Sequence, residues 1–173
     1  METRFAGEVE RYHAWRTLRR QSVGEHTWQV LRIYDEIFGL HDAEVARWIL
    51  WHDAPELITG DVPFQTKRRW PEVKKALTEA EEVASRELDI VWPEITDLQR
   101  ARIKLCDVLE MYEFGVREVQ MGNQFCREVV RATAEALQDL LESLPDQRIS
   151  LNGQTWRYIL KHALPAIEEG RTW

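Results

Sequence analysis

The stretch Ile49-Leu50-Trp51-His52-Asp53-Ala54-Pro55-Glu56 decides how this chain is read. It closes an apolar helical run that begins at Val45. Helical spacing puts Val45, Ile49, His52 and Glu56 on one stripe, with Ala46, Leu50 and Asp53 on the stripe beside it. An imidazole and a carboxylate therefore point towards the core. Burying them costs on the order of several kcal/mol unless each finds a partner, so the pair calls for a metal, an ion pair or a hydrogen-bond network. A structural His-Asp hydrogen bond is the plain reading of the dipeptide alone, and what argues for more is the company elsewhere in the chain.

The chain has 173 residues, 44% of them hydrophobic, enough for one compact domain over residues 1–173 with a full core. Helical periodicity fills most of it and no alternating strand pattern stands out, so the expected fold class is all-α, a single compact helical bundle. A formal net charge of -7 argues against a nucleic-acid-binding surface, while leaving room for a local basic pocket for phosphates. Cys106 and Cys126 are too few for a disulfide framework and fall inside expected helices, which reads as buried thiol. The charged amino terminus lacks an apolar signal core and no run reaches the length of a membrane span. The expectation is a soluble protein of a reducing cytoplasm, or of a host cytoplasm if phage-encoded, with small-molecule partners and neither nucleic acid nor membrane.

In chain order, Arg11, Tyr12, Trp15 and Arg16 mix basic and aromatic groups suited either to a solvated surface or to a pocket wall for phosphate and a ring. Ser22 and Glu25 form a capping box for a helix to about Phe38, whose inward face carries His26 between Val23 and Val30. Gly39 stops that helix and Asp42 caps the next, through Asp53. Pro55 opens a short turn ended by Gly60, and Asp61 to Thr66 reads as a non-helical loop that delivers Lys67, Arg68 and Arg69. Pro71 starts a long helix to about Val91, with Val73, Leu77, Ala80, Ala84 and Leu88 as its buried face. Asp97 is the expected cap of a helix from Leu98 to Met121. Leu105, Leu109, Tyr112, Val116 and Val119 lie on one flank, and Ile103, Asp107, Met111 and Phe114 on the other. Phe125, Val129, Ala136 and Leu140 mark a helix closed by Pro145, and Asn152 to Glu169 a last one with Trp156, Leu160, Leu164 and Ile167 inward.

Inward His26, the adjacent His52 and Asp53, and inward Asp107 offer two imidazole nitrogens and two carboxylate oxygens from three helices. Such a set suits one divalent transition metal, Mn, Co, Zn, Ni or Fe, with positions left for water and substrate.

Val23-Gly24-Glu25-His26, His52-Asp53-x-x-Glu56, Gly60-Asp61-Val62-Pro63 and Lys104-x-x-Asp107, in that order, resemble the HD-domain metal-dependent phosphohydrolases. The likeness covers roughly Glu10 to Asn123 and is greatest to the 5'-deoxynucleotidase group, which includes bacterial deoxynucleoside monophosphatases and phage dATP triphosphohydrolases. The resemblance implies that His26, His52, Asp53 and Asp107 are the metal ligands. It implies that Glu56 and Asp61 are the acidic residues near the attacking water and the leaving oxygen, and that Arg11 orients the phosphate. Tyr12 stands where relatives carry tryptophan against the sugar or base. Phe64 joins Tyr12 and Asp61 on the substrate, and Lys67 and Lys104 match basic residues for further phosphates, with additional Mg on those phosphates. Gln65 departs from the second proline that often follows the Gly-Asp-x-Pro turn.

The expected activity is hydrolysis of the 5'-phosphate ester of a 2'-deoxynucleotide by a metal-activated water, on a mono- or a triphosphate. Two other classes fit the same residues: a non-catalytic nucleotide-binding module, and a helical interaction protein with a structural metal. Trp48, Trp51, Trp70, Trp92, Trp156 and Trp173 are many large aromatics for this length, and the relatives form dimers or trimers of dimers, so a homo-oligomer is expected.

Overall fold

A computed structural model describes residues 2–143. The helix expected over 152–169, the stop at Pro145, and Trp156 and Trp173 lie outside the described residues. Within them the fold is all-α apart from one two-stranded ladder, a feature too short to leave an alternating pattern in the sequence. The strands β1 (Glu10–Arg11) and β2 (Gln21–Ser22) run antiparallel, with Arg11 opposite Gln21. A 3-10 turn over Thr3–Glu8 precedes them.

Helix α1 (Val23–Phe38) starts where the Ser22 side chain accepts from the Glu25 backbone N–H, and ends at Gly39 with φ 74. Gly24 allows the close approach of this helix to the amino-terminal turn: a Cβ there would lie 3.1 Å from the Gly7 carbonyl oxygen. Helix α2 (Ala43–Trp51) is capped by Asp42 and stops one residue before His52. His52 and Asp53 therefore sit in the turn after the helix rather than in it. Glu56 opens α3 (Glu56–Thr59), which Gly60 ends at φ 75.

The expected loop over 61–66 is shorter than its sequence implies. Val62 and Pro63 stay outside any helix, but α4 (Phe64–Arg69) begins immediately after them, so Lys67, Arg68 and Arg69 form a helix's last turn. Helix α5 (Pro71–Glu87) ends earlier than Val91, and only its carboxy-terminal end is buried, at Ala84, Ser85 and then Leu88. The expected inward residues Val73 and Ala80 are exposed. Helix α6 (Asp97–Gln120) is capped by Thr96, not Asp97, in a reciprocal box with Gln99. After a 3-10 turn over Gln124–Cys126, α7 (Arg127–Ser143) buries Val129, Ala132, Thr133 and Leu137. Phe125 is exposed on that turn instead of joining the core.

Helix α6 is the spine, packed between α1 and α7. Val30, Ile33, Ile37, Val45, Ile49, Leu105, Leu109 and Tyr112 form its core, and burial of both flanks follows the two apolar stripes of the sequence. Cys106 and Cys126 are buried free thiols. No helix among the described residues is long and apolar enough to cross a membrane.

Candidate active site

His26, fully buried on α1, His52 and Asp53 after α2, and Asp107 on α6 meet at one point. Nε2 of His26 lies 3.4 Å from Asp53 Oδ2, 3.2 Å from Asp107 Oδ1 and 3.4 Å from His52 Nε2, and His52 Nε2 lies 3.4 Å from Asp53 Oδ2. Ligand atoms of His26, His52 and Asp53 all fall within 4.8 Å of one another. Asp107 adjoins the group through Oδ1, and its Oδ2 accepts from Lys104 Nζ at 2.6 Å.

These distances fit a bound cation. Four ligands held tetrahedrally at about 2.0–2.1 Å from an ion stand about 3.3–3.4 Å apart. A single ring nitrogen bears at most one proton, aimed in one direction, yet His26 Nε2 faces three acceptors at once. The other nitrogens are accounted for: His52 Nδ1 stands 2.6 Å from the Ile49 carbonyl oxygen and His26 Nδ1 2.6 Å from Glu110 Oε2. With a proton on each Nδ1, both Nε2 lone pairs turn to the shared point, as metal-ligating imidazoles require.

The charges around this point are strongly coupled. Burial raises the Asp107 carboxyl, but Lys104 and the two imidazoles outweigh it and hold it well below the usual carboxylate range. Asp53 is likewise lowered against its burial, by His52, Arg11 and His26. Burial and Arg11 lower His26, while the Glu110 and Asp107 carboxylates bring it up to about 9. Glu56 is pushed up to about 9, first by burial and then by the negative charge of Asp53.

The remaining expected site residues fall into two neighbouring spaces. Arg11, His52, Asp53, Glu56, Asp61, Phe64, Lys67, Lys104 and Asp107 line an open cavity of about 560 Å³. Arg11 crosses its floor to Asp53 Oδ2 at 2.7 Å, and Lys67 Nζ stands 3.8 Å from Glu56 Oε1. Tyr12 faces a cleft of about 20 Å³ beside it, shared with Arg11, Asp61 and Phe64. Its ring stacks on Phe114 at 4.5 Å, and its backbone N–H donates to Asp61 Oδ2 at 3.2 Å. These contacts hold Tyr12 at φ 57, a left-handed conformation that an aromatic residue adopts at a cost of about 1–3 kcal/mol. Arg11 Nε, the Tyr12 hydroxyl and Glu56 Oε2 are buried without a hydrogen-bond partner among the described residues, as groups awaiting a polar ligand would be. Trp48 is also turned to the cavity, its ring stacked 6.2 Å from that of His52.

Three residues at the site carried no signal that the sequence reading used. Glu110 holds His26, and Gln21 Nε2 donates to Glu110 Oε1 at 2.7 Å. Glu118, fully buried, accepts from the Leu18 and Arg19 backbone N–H groups and from Asn123 Nδ2, which straps the loop after Tyr12 to the end of α6. The signal available was a carboxylate one turn after Asp107, on a flank already read as packed.

The structure of the cyanophage S-2L HD phosphohydrolase DatZ, bound to dA and one catalytic Zn2+ ion, superposes with a TM-score of 0.68 at 24% identity. The superposition covers 92% of this chain and 95% of DatZ, a likeness of fold. The 5'-deoxynucleotidases of Yersinia pestis (strain Pestoides F) and Yersinia pseudotuberculosis serotype O:1b (strain IP 31758) are each 25% identical over 138 residues, 66% of this chain and 70% of theirs. The model of the YfbR-like 5'-deoxynucleotidases matches residues 6–150. The all-α fold and a His/His/Asp set able to hold a metal thus coincide with a family match over most of the chain, and the chain belongs to the YfbR-like 5'-deoxynucleotidase family, hydrolases of deoxynucleotide 5'-phosphate esters.

Proposed function

We propose that this chain, as one domain over residues 1–173, cleaves the bond between phosphorus and O5' of a 2'-deoxynucleotide. His26, His52, Asp53 and Asp107 would hold a divalent transition ion there. The observation that carries the reading is the pair of imidazole Nε2 atoms 3.4 Å apart, each with its Nδ1 already engaged and a carboxylate oxygen at the same spacing. An ion held by these residues would supply Lewis-acid polarisation of the phosphoryl oxygens and a nucleophile available near neutral pH.

The chain's own groups then divide the remaining work. Arg11 neutralises Asp53 and has a buried Nε without a partner among the described residues, so a phosphate entering the cavity meets a guanidinium already fixed at its floor. Glu56, buried on the cavity wall beside Asp53, is placed to exchange a proton with the departing O5'. Asp61 holds the backbone of Tyr12, which sets the stacked Tyr12 and Phe114 rings as one wall, with Phe64 between the two spaces. Lys67 and Lys104 stand on the same cavity wall for non-reacting phosphate oxygens.

The same bond breaks whether the reacting phosphorus carries two further phosphates or none. Lys74 and Arg100 also line the cavity, beyond the charge that a single phosphate needs, and this favours a triphosphate as the second reading, with Mg on its outer phosphates. The test is a panel of deoxy- and ribonucleoside mono- and triphosphates, with protein loaded in turn with Mn, Co, Zn, Ni or Fe. Nucleoside with phosphate, or nucleoside with tripolyphosphate, identifies the substrate. Ligand-induced thermal stabilisation with no nucleoside from any of them would replace this reading by a binding module. Assembly into a dimer or trimer of dimers in a reducing cytoplasm is proposed with it, supported by exposed Trp70 and Trp92 and checked by light scattering.

A further inference from the structure

The two imidazoles at the candidate cation site are held by different means. His52 is fixed by a backbone carbonyl of α2, the helix just before it, a support that substitution of a neighbouring side chain does not remove. His26 is fixed by a side chain from another helix: Glu110 Oε2, 2.6 Å from Nδ1, on a residue almost completely shielded from solvent. Glu110 is itself held by Gln21, whose Nε2 donates to Oε1 at 2.7 Å, and Gln21 is equally buried.

We propose that Glu110, clamped by Gln21, is the positioning residue that keeps the His26 proton on Nδ1 and so turns Nε2 to the divalent ion. It does not touch substrate or ion. A buried carboxylate with one oxygen on an imidazole N–H and the other on an amide N–H has a single orientation that satisfies both. The ring is thereby locked in rotation and in tautomer, and the charge on Glu110 raises the electron-donating power of the opposite nitrogen.

Gln21 carries the inference further. Its Oε1 is buried without a partner among the described residues, and so is Nε of Arg11, the residue opposite it in the β1-β2 ladder. The orphan acceptor and the orphan donor stand on cross-strand neighbours, so Gln21 adjoins both the support of His26 and the arginine at the cavity floor. Loss of Gln21 is therefore expected to disturb both.

This rests on the reading of His26 as a ligand, and the test separates the two. Co2+ affinity of the metal-free protein is measured by calorimetry for wild type, Glu110→Gln, Gln21→Leu and His26→Ala, with circular dichroism as the check on folding. The expected result is a Co2+ affinity lower by about 10–100-fold in Glu110→Gln. A smaller loss is expected in Gln21→Leu, with helicity kept in both. Imidazole 15N shifts of the metal-free protein, read at a pH where the His26 ring is neutral and with the His26→Ala spectrum as the assignment control, should move from the Nδ1-protonated pattern to a mixture in Glu110→Gln. Activity of that variant should recover at saturating Co2+, because the reacting groups are intact. Wild-type affinity and an unchanged tautomer in a folded Glu110→Gln overturn the proposal. If that variant does not fold, the same two readings in Gln21→Leu decide it. A wild-type protein that binds no Co2+ defeats the ligand reading itself.

Discussion

Helices α5 and α6 are both long, charged and amphipathic in sequence, and the protein uses them in opposite ways. On α6, twelve residues are buried, among them Glu110 and Glu118, and Asp107 reaches the candidate cation site. On α5, only Ala84 and Ser85 are buried, and the helix rests on α3 and α4, lending Pro71, Lys74 and Glu81 to the cavity wall. Periodicity identifies the apolar face of a helix, but burial depends on whether another element covers that face. Helix α6 has α1 on one side and α7 on the other, so even its carboxylates find partners. Helix α5 closes one side of an open site.

The largest effect should come from the point where α6 meets the turn after α2. Asp53→Ala or His52→Ala is expected to abolish turnover and divalent-ion binding while leaving helicity in place. Chelation should remove wild-type activity, and Mn or Co should restore it. Nucleoside release followed by chromatography, with circular dichroism beside it, checks both halves. Full activity in Asp53→Ala would sink the assignment of the site.

Within the spine, Leu109 is fully buried in the core it shares with Val30 and Tyr112. Leu109→Ala should cost about 2–5 kcal/mol in denaturant unfolding, because the lost methyl groups leave a cavity between helices that cannot collapse. A loss under about 1 kcal/mol would mean that α6 is not the element on which the fold depends.

Much of this contrast was legible in the sequence. Both flanks of α6, the inward His26, the capping role of Ser22 and the cluster of His52 with Asp53 all follow from periodicity and short-range chemistry. The error at Thr96 was one residue, because Thr96 and Asp97 are both good caps and only the reciprocal bond to Gln99 separates them. Val73 and Ala80 share a face with Ala84 and Leu88, so periodicity predicts burial for all four, yet only Ala84 and Leu88 are buried. Glu110 with Gln21 and Glu118 with Leu18 are pairings across 89 and 100 residues. One sequence gives no sign of which distant donor a carboxylate will meet.

Glu56 on α3 lines the cavity that both helices wall, and its carboxyl gives the comparison a pH dependence. Its folded pKa is raised to about 9 from the ordinary 4.5, by burial first and Asp53 second. A raised carboxyl pKa contributes stability that is fully present below about 4.5 and is lost as pH climbs through about 9, because the unfolded chain releases that proton first. Glu56→Gln keeps the shape and the neutral form throughout. In metal-free protein its Tm should match wild type near pH 4 and exceed it by a margin that widens towards pH 8, while turnover falls sharply. A margin that narrows with rising pH would reverse the sign and place the Glu56 charge among stabilising partners.

The smallest effect is expected at the exposed amino-terminal end of α5. Val73 is 38% exposed, and Val73→Ser exchanges two residues of similar helix propensity at a site with little apolar area to lose. The change should stay within about 0.5 kcal/mol. The sharper measurement repeats the melt over a range of protein concentrations. If α5 is open in solution, the difference between variant and wild type is constant across that range. If a second copy covers it, the wild-type Tm rises with concentration and Val73→Ser weakens that rise, since binding to the folded form stabilises by mass action. The expected assembly of copies would then have its contact on the helix that also walls the cavity, and α5 would resemble α6 after all, a helix covered on both sides, with the partner's surface as its second cover.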